Sequence, residues 1–173
     1  MSLLTGLFSI PADRYQSFEN EIGEVQTVPA TRPKEFDRIE QLLYGINYAV
    51  HFSLYGPADS DLGLVDALKF LIADDCEIFR VTPSSPQHAM AEMMSLVLYE
   101  GDDGAGPLEL ASKKTQVIQL LHQVFSVIGI ENADMVMEFA FKDGHPAYPV
   151  FWDFAFDIHL HGQRWILVGS SSD

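Results

Sequence analysis

Pro149-Val150-Phe151-Trp152-Asp153-Phe154-Ala155-Phe156-Asp157-Ile158-His159-Leu160-His161 is the stretch that decides how this chain folds. Read as a β-strand over 149–161, it puts Trp152, Phe154, Phe156, Ile158 and Leu160 on one side and Asp153, Asp157, His159 and His161 on the other, because successive strand side chains point to opposite faces. So large an apolar face has to be covered, and this predicts a sheet with helices packed on it. Gly162-Gln163 then predicts a two-residue hairpin into a strand over 164–169. That register sets His161 opposite Arg164, His159 opposite Ile166 and Asp157 opposite Val168. A further strand over 134–142 completes a C-terminal β-meander.

Working outward, the covering helices are legible from apolar spacing. Residues 108–128 carry Leu110, Val117, Leu121, Val124 and Ile128 at helical intervals, with Lys113, Lys114, Gln116 and Gln123 on the opposite side. This helix is the expected partner of the aromatic strand face. Thr82-Pro83-Ser84-Ser85-Pro86 signals another helix start, for a segment running to about Leu98 with an inner stripe of Met90, Met93, Met94 and Val97. Residues 61–73 predict a strongly apolar helix with Leu64, Val65, Leu68, Leu71 and Ile72 buried. Pro33 opens a helix with Phe36, Ile39, Leu42 and Leu43 on one side. A strand over 47–55 alternates, with Tyr48, Val50, Phe52 and Leu54 inward, and Gly56-Pro57 is expected to end it. A strand over 76–81 includes Cys76 as a packed residue. Residues 3–10 read as a first strand, and Tyr15, Phe18 and Ile22 as one face of a short helix. Helices first and antiparallel strands last define an α+β fold, with 1–173 as a single domain.

Composition agrees with one sizeable core: the chain is 47% hydrophobic and 12% aromatic over 173 residues. Its 25 acidic against 10 basic residues give a formal net charge of −15. Scattered basic residues on so acidic a chain give no cationic face for a phosphate backbone or an anionic leaflet, which argues against nucleic-acid and membrane partners. No run is long and apolar enough to span a bilayer and no secretory signal is evident, so the expected location is cytoplasmic.

The chemistry the residues could carry is sparse. Asp157, His159 and His161 alternate on one strand face, where side chains about 7 Å apart can converge on a proton or a metal. Arg164 in the hairpin repels a cation, so the expectation is no metal and no cofactor, with Asp157 and Arg164 paired on a partly solvated outer face. The lone Cys76 excludes an internal disulfide and a cysteine zinc site. His51, His88, His122 and His145 are scattered, and no H-E-x-x-H or H-x-x-x-H pair occurs on a helix. Gly101-Asp102-Asp103-Gly104-Ala105-Gly106 predicts a flexible acidic loop. It is not a calcium loop, because Gly104 and Gly106 stand where oxygen ligands are needed and no Glu closes the twelfth position. No phosphate-binding glycine motif or nucleophile elbow is present.

Three fragments, Gly6-Leu7-Phe8-Ser9-Ile10, Val50-His51-Phe52-Ser53-Leu54-Tyr55-Gly56 and Arg80-Val81-Thr82-Pro83, together resemble the YfbM-like family of small bacterial domains of unknown function. All three lie in the first half of the chain, and the hairpin over 151–168 has no counterpart in that family. The resemblance implies a bacterial, cytoplasmic α+β domain, reads Arg80 to Pro83 as a strand-to-helix join, and supplies no catalytic residues.

Two functional readings stand from sequence. One is a non-enzymatic interaction protein, most concretely an acidic immunity or inhibitor protein that neutralises a basic toxin, with Asp102, Asp103, Asp153 and Asp157 as the carboxylates that meet the partner. The other is a small hydrolase-type enzyme using Asp157, His159 and His161. A structural or regulatory role without chemistry and the oligomeric state are left open.

Overall fold

The computed structural model describes residues 32–173. The expected strand over 3–10 and the helix bearing Tyr15, Phe18 and Ile22 lie outside the described residues.

Among the described residues, four α-helices and seven strands follow in chain order: α1 Lys34–Leu43, β1 Gly45–Ile46, β2 Ala49–Asp59, α2 Leu64–Leu71, β3 Glu77–Ser84, α3 Pro86–Val97, β4 Gly106–Pro107, α4 Leu110–Ile128, β5 Met135–Asp143, β6 Trp152–Leu160 and β7 Gln163–Ser172. Five strands form one antiparallel sheet in the order β2-β7-β6-β5-β3, and β1 with β4 forms a separate two-stranded ribbon. The protein is α+β, with the meander β5-β6-β7 at its C-terminal end. The aromatic strand is central, as a strand buried over most of its length must be.

Burial explains the arrangement. Trp152, Phe154, Phe156 and Ile158 of β6 join Phe36 and Ile39 of α1, Met93 and Val97 of α3, and Val117, Leu121 and Val124 of α4 in one core. The inner stripe of α3 is carried by Ala89, Met93 and Val97, with Met90 and Met94 half-buried beside it. The long helix does not lie directly along the aromatic strand. Its backbone runs chiefly beside α1, while α3 packs on β5 and β6 and α1 packs on β2.

The opposite face of the sheet is not the solvated face that the alternation predicts. Ala155 of β6, Ile166 and Val168 of β7, Phe139 of β5 and Ala58 of β2 pack there against Leu68 and Leu71 of α2 in a second, smaller core. Among the described residues, helices therefore cover both sides of the sheet, three on one and one on the other. On α2, Val65 is exposed and Ile72 stands half-buried at the end of the helix.

Local chemistry sets the boundaries. Ser85 caps α3 by accepting a hydrogen bond from the His88 N–H at 3.1 Å, and Pro86 occupies the first helical position. Arg80, Val81, Thr82 and Pro83 all lie within β3, so the helix begins three residues later than an L-T-P start implies. Cys76 sits in the turn before β3, fully buried, with its thiol 3.4 Å from the Gly144 carbonyl. Strand β2 continues through Gly56-Pro57 to Asp59 by way of a register shift between Tyr55 and Ala58. Residues 101–106 form a tight turn in which Asp102 and Ala105 exchange backbone hydrogen bonds, after which Gly106–Pro107 pairs with Gly45–Ile46.

Gly169 of β7 stands in register with Phe52 of β2 on one side and Phe154 of β6 on the other. A Cβ there would lie 2.3 Å from the Phe154 ring, so the missing side chain lets the two rings close over the middle strand, centroids 6.3 Å apart.

Candidate functional site

The β6–β7 turn is formed by His161 and Gly162, whose φ angles of 54° and 74° are both positive, the pairing a type I′ turn requires. The pairs are thus Leu160 with Gln163, His159 with Arg164 and Asp157 with Ile166. The expected register is displaced by two residues, which leaves every side chain on its face but brings Arg164 beside His159. His161 leaves the strand for the turn tip, where its side chain is exposed and its backbone N–H donates to Asp134 Oδ2 at 2.9 Å. Of the three expected catalytic side chains, Asp157 and His159 are together and His161 is apart.

Asp157 is 1% exposed and Arg164 5%. Arg164 Nε donates to Asp157 Oδ1 at 2.9 Å and lies 3.0 Å from His159 Nε2, while Nη1 donates to the Leu62 carbonyl ahead of α2. His159 Nε2 is 3.2 Å from Asp157 Oδ1. Burial pushes the Asp157 carboxyl above its ordinary value, opposed by the charge of Arg164 and then by His159. The group is an internal lock: the single Nε–H of the guanidinium is shared between Asp157 Oδ1 and the imidazole nitrogen that a metal would need. The pairing of Asp157 with Arg164 was legible from sequence; its burial under α2 was not.

The other expected partner-facing carboxylates sit apart. Asp102 and Asp103 are exposed on the turn before β4, and Asp102 accepts a hydrogen bond from the Tyr99 hydroxyl. That bond, with smaller contributions from lost solvation and the Asp102 charge, pushes the Tyr99 phenol up to about 12. Asp153 is exposed at the start of β6, with Oδ2 4.0 Å from His145 Nε2. Burial pushes the Cys76 thiol up, which keeps it protonated and unreactive.

One cluster escaped the reading of the sequence. His88 and Glu92 stand four residues apart on α3, and Glu138 rises from β5 beneath them. Nε2 of His88 lies 3.6 Å from Glu92 Oε2 and 3.9 Å from Glu138 Oε2, and the three atoms lie within 4.8 Å of one another. Burial, and then the charge of Glu138, raises the Glu92 carboxyl above its usual range. Glu92 Oε2 is buried and has no hydrogen-bond partner among the described residues. The i, i+4 spacing of His88 and Glu92 was visible in the chain; Glu138 joins them only through the sheet topology.

Two open grooves, of about 480 and 470 Å³, run along β2 and contain none of these groups. No helix among the described residues is long and apolar enough to cross a membrane. Comparison with known proteins finds no matching family model, no matching curated protein and no matching solved structure.

Proposed function

We propose that this protein is a non-catalytic binding protein for a basic protein partner, acting as an inhibitor or immunity factor, and that the partner meets the α2 side of the sheet. The observation that carries this reading is how charge is allocated. Arg32, Arg80, Lys142 and Arg164 are each engaged with carboxylates of the chain, and Lys113 donates to the Leu42 and Leu108 carbonyls. Around α2, by contrast, Asp59, Asp61, Asp66, Asp74 and Asp75 are exposed and make no ion pair among the described residues. Lys69 is the one base on that helix.

The same surface carries an anchor. Phe70 is 65% exposed on α2, next to Lys69 and one turn after Asp66. An exposed aromatic among carboxylates suits a partner that offers an apolar pocket rimmed with Lys or Arg: the ring supplies affinity, and the carboxylates supply steering. Asp102 and Asp103 add to the acidic field from a separate turn. Asp157, buried under α2, acts on this surface only by holding it in place.

The test is affinity capture from the native host with the full chain, followed by binding kinetics of the captured protein. The expected partner is rich in Lys and Arg. Its association slows steeply as salt rises, because the Debye length falls from about 30 Å at 0.01 M to about 8 Å at 0.15 M. Reversing Asp66, Asp74 and Asp75 together to Lys slows association, and Phe70→Ala speeds dissociation. An acidic partner, or an affinity indifferent to salt and to these substitutions, overturns the proposal.

A further inference from the structure

We propose that His88, Glu92 and Glu138 form a binding site for a divalent transition-metal ion of the zinc type. The ligand set is one imidazole nitrogen and two carboxylate oxygens, donors that zinc takes together at about 2.0–2.2 Å. Around a tetrahedral ion such ligands stand about 3.4 Å from one another. The separations here, 3.6 and 3.9 Å with all three atoms inside 4.8 Å, are within about 1.5 Å of that spacing before any ion draws the ligands together. His88 and Glu92 share one helix face because they lie four residues apart.

The structure also contains a reason for the site. Glu92 Oε2 is shielded from water, has no hydrogen-bond donor among the described residues and lies near a second carboxylate. A buried lone pair without a donor is a cost that a cation removes. Arg80 Nη2 donates to Glu138 Oε1 at 3.3 Å, which orients that carboxylate and leaves Oε2 turned toward His88. Arg80 is 60% exposed, so its charge is screened by water. Here the site differs from His159, whose Nε2 is already taken by Arg164. His88 is 62% exposed, which gives the ion an entry path and leaves a coordination position open to water.

The experiment is calorimetric titration of ZnCl2 into the untagged full chain after EDTA treatment and dialysis. One equivalent binds, and Co2+ in its place develops the visible absorption of a tetrahedral site. His88→Ala and Glu138→Gln each weaken binding by about tenfold or more, while circular dichroism stays unchanged. The double variant His159→Ala, His161→Ala binds as the parent does. Absence of stoichiometric binding, retention of affinity in both His88→Ala and Glu138→Gln, or equal affinity for Mg2+, which does not favour imidazole, overturns the proposal.

Discussion

Replacing Arg164 by alanine tests whether Asp157 is held as a desolvated ion pair. With Asp157 1% and Arg164 5% exposed, neither charge has water to fall back on, and removing the guanidinium strands a carboxylate beneath α2. Losing one partner of a buried pair costs about 3–5 kcal/mol, which for a chain of this size lowers the melting temperature by about 10 °C. The Leu62 carbonyl loses its donor in the same step. The assay is urea unfolding followed by the fluorescence of Trp152 and Trp165.

The pH dependence makes the test sharper. Burial raises the folded-state pKa of Asp157, and Arg164 holds that rise in check. In Arg164→Ala the folded value climbs further above the unfolded value of about 3.9. The folded variant then binds its proton more tightly than the unfolded chain does, so stability falls as pH rises through that window and is recovered as pH falls back through it. The deficit of the variant relative to the parent is therefore largest at neutral pH and shrinks toward pH 4. A deficit below about 1 kcal/mol, or one equal at both pH values, would refute the reasoning, because it would mean that water already reaches Asp157.

Gly169→Ala forces a Cβ to 2.3 Å from the Phe154 ring and destabilises by about 1–3 kcal/mol, measurable by the same unfolding assay. Ser85→Ala removes the α3 cap and costs about 1 kcal/mol, whereas Ser85→Asp, which restores an acceptor, keeps most of the stability. Asp102→Asn lowers the Tyr99 phenol from about 12 toward its usual value, seen as one tyrosine titrating earlier than in the parent and absent in a Tyr99→Phe background. Because the net charge is −15, self-repulsion eases as salt rises from 0.01 to 0.15 M, so the parent unfolds at higher urea, while the deficit of Arg164→Ala stays constant since that pair is buried.

What was legible in the sequence was whatever one element decides by itself. The α4 pattern of Val117, Leu121 and Val124, a helix start within the stretch from Thr82 to Pro86 and the alternation from Tyr48 to Leu54 each followed from residues within one turn or one strand. What was not legible depended on a neighbour. Gly56-Pro57 reads as a stop, yet β2 passes through it with a shift of register and pairs again at Ala58 and Asp59. The sequence predicts Gly162 as the first turn residue; the turn instead puts His161 at positive φ ahead of it, a conformation that a non-glycine side chain rarely signals. Asp157 and His159 alternate with apolar residues as on a solvated face, and only the packing of α2 reverses that. His88 and Glu92 announce their spacing, but the third member arrives from β5, far along the chain.

The lock and the proposed binding surface are connected through α2. This helix has eight residues and buries only Ala67, Leu68 and Leu71, little apolar contact for the helix that packs on this side of the sheet. Arg164 compensates by reaching from β7 to the Leu62 carbonyl at the entrance to α2, so the helix is tied to the sheet at its N-terminal end by a charged group and along its length by Leu68 and Leu71. The carboxylates and Phe70 on its outer side are presented at a defined place only while that tie holds. Arg164→Ala should consequently weaken partner binding with every surface residue unchanged, whereas Phe70→Ala should weaken it with stability unchanged. The two variants separate the scaffold from the contact.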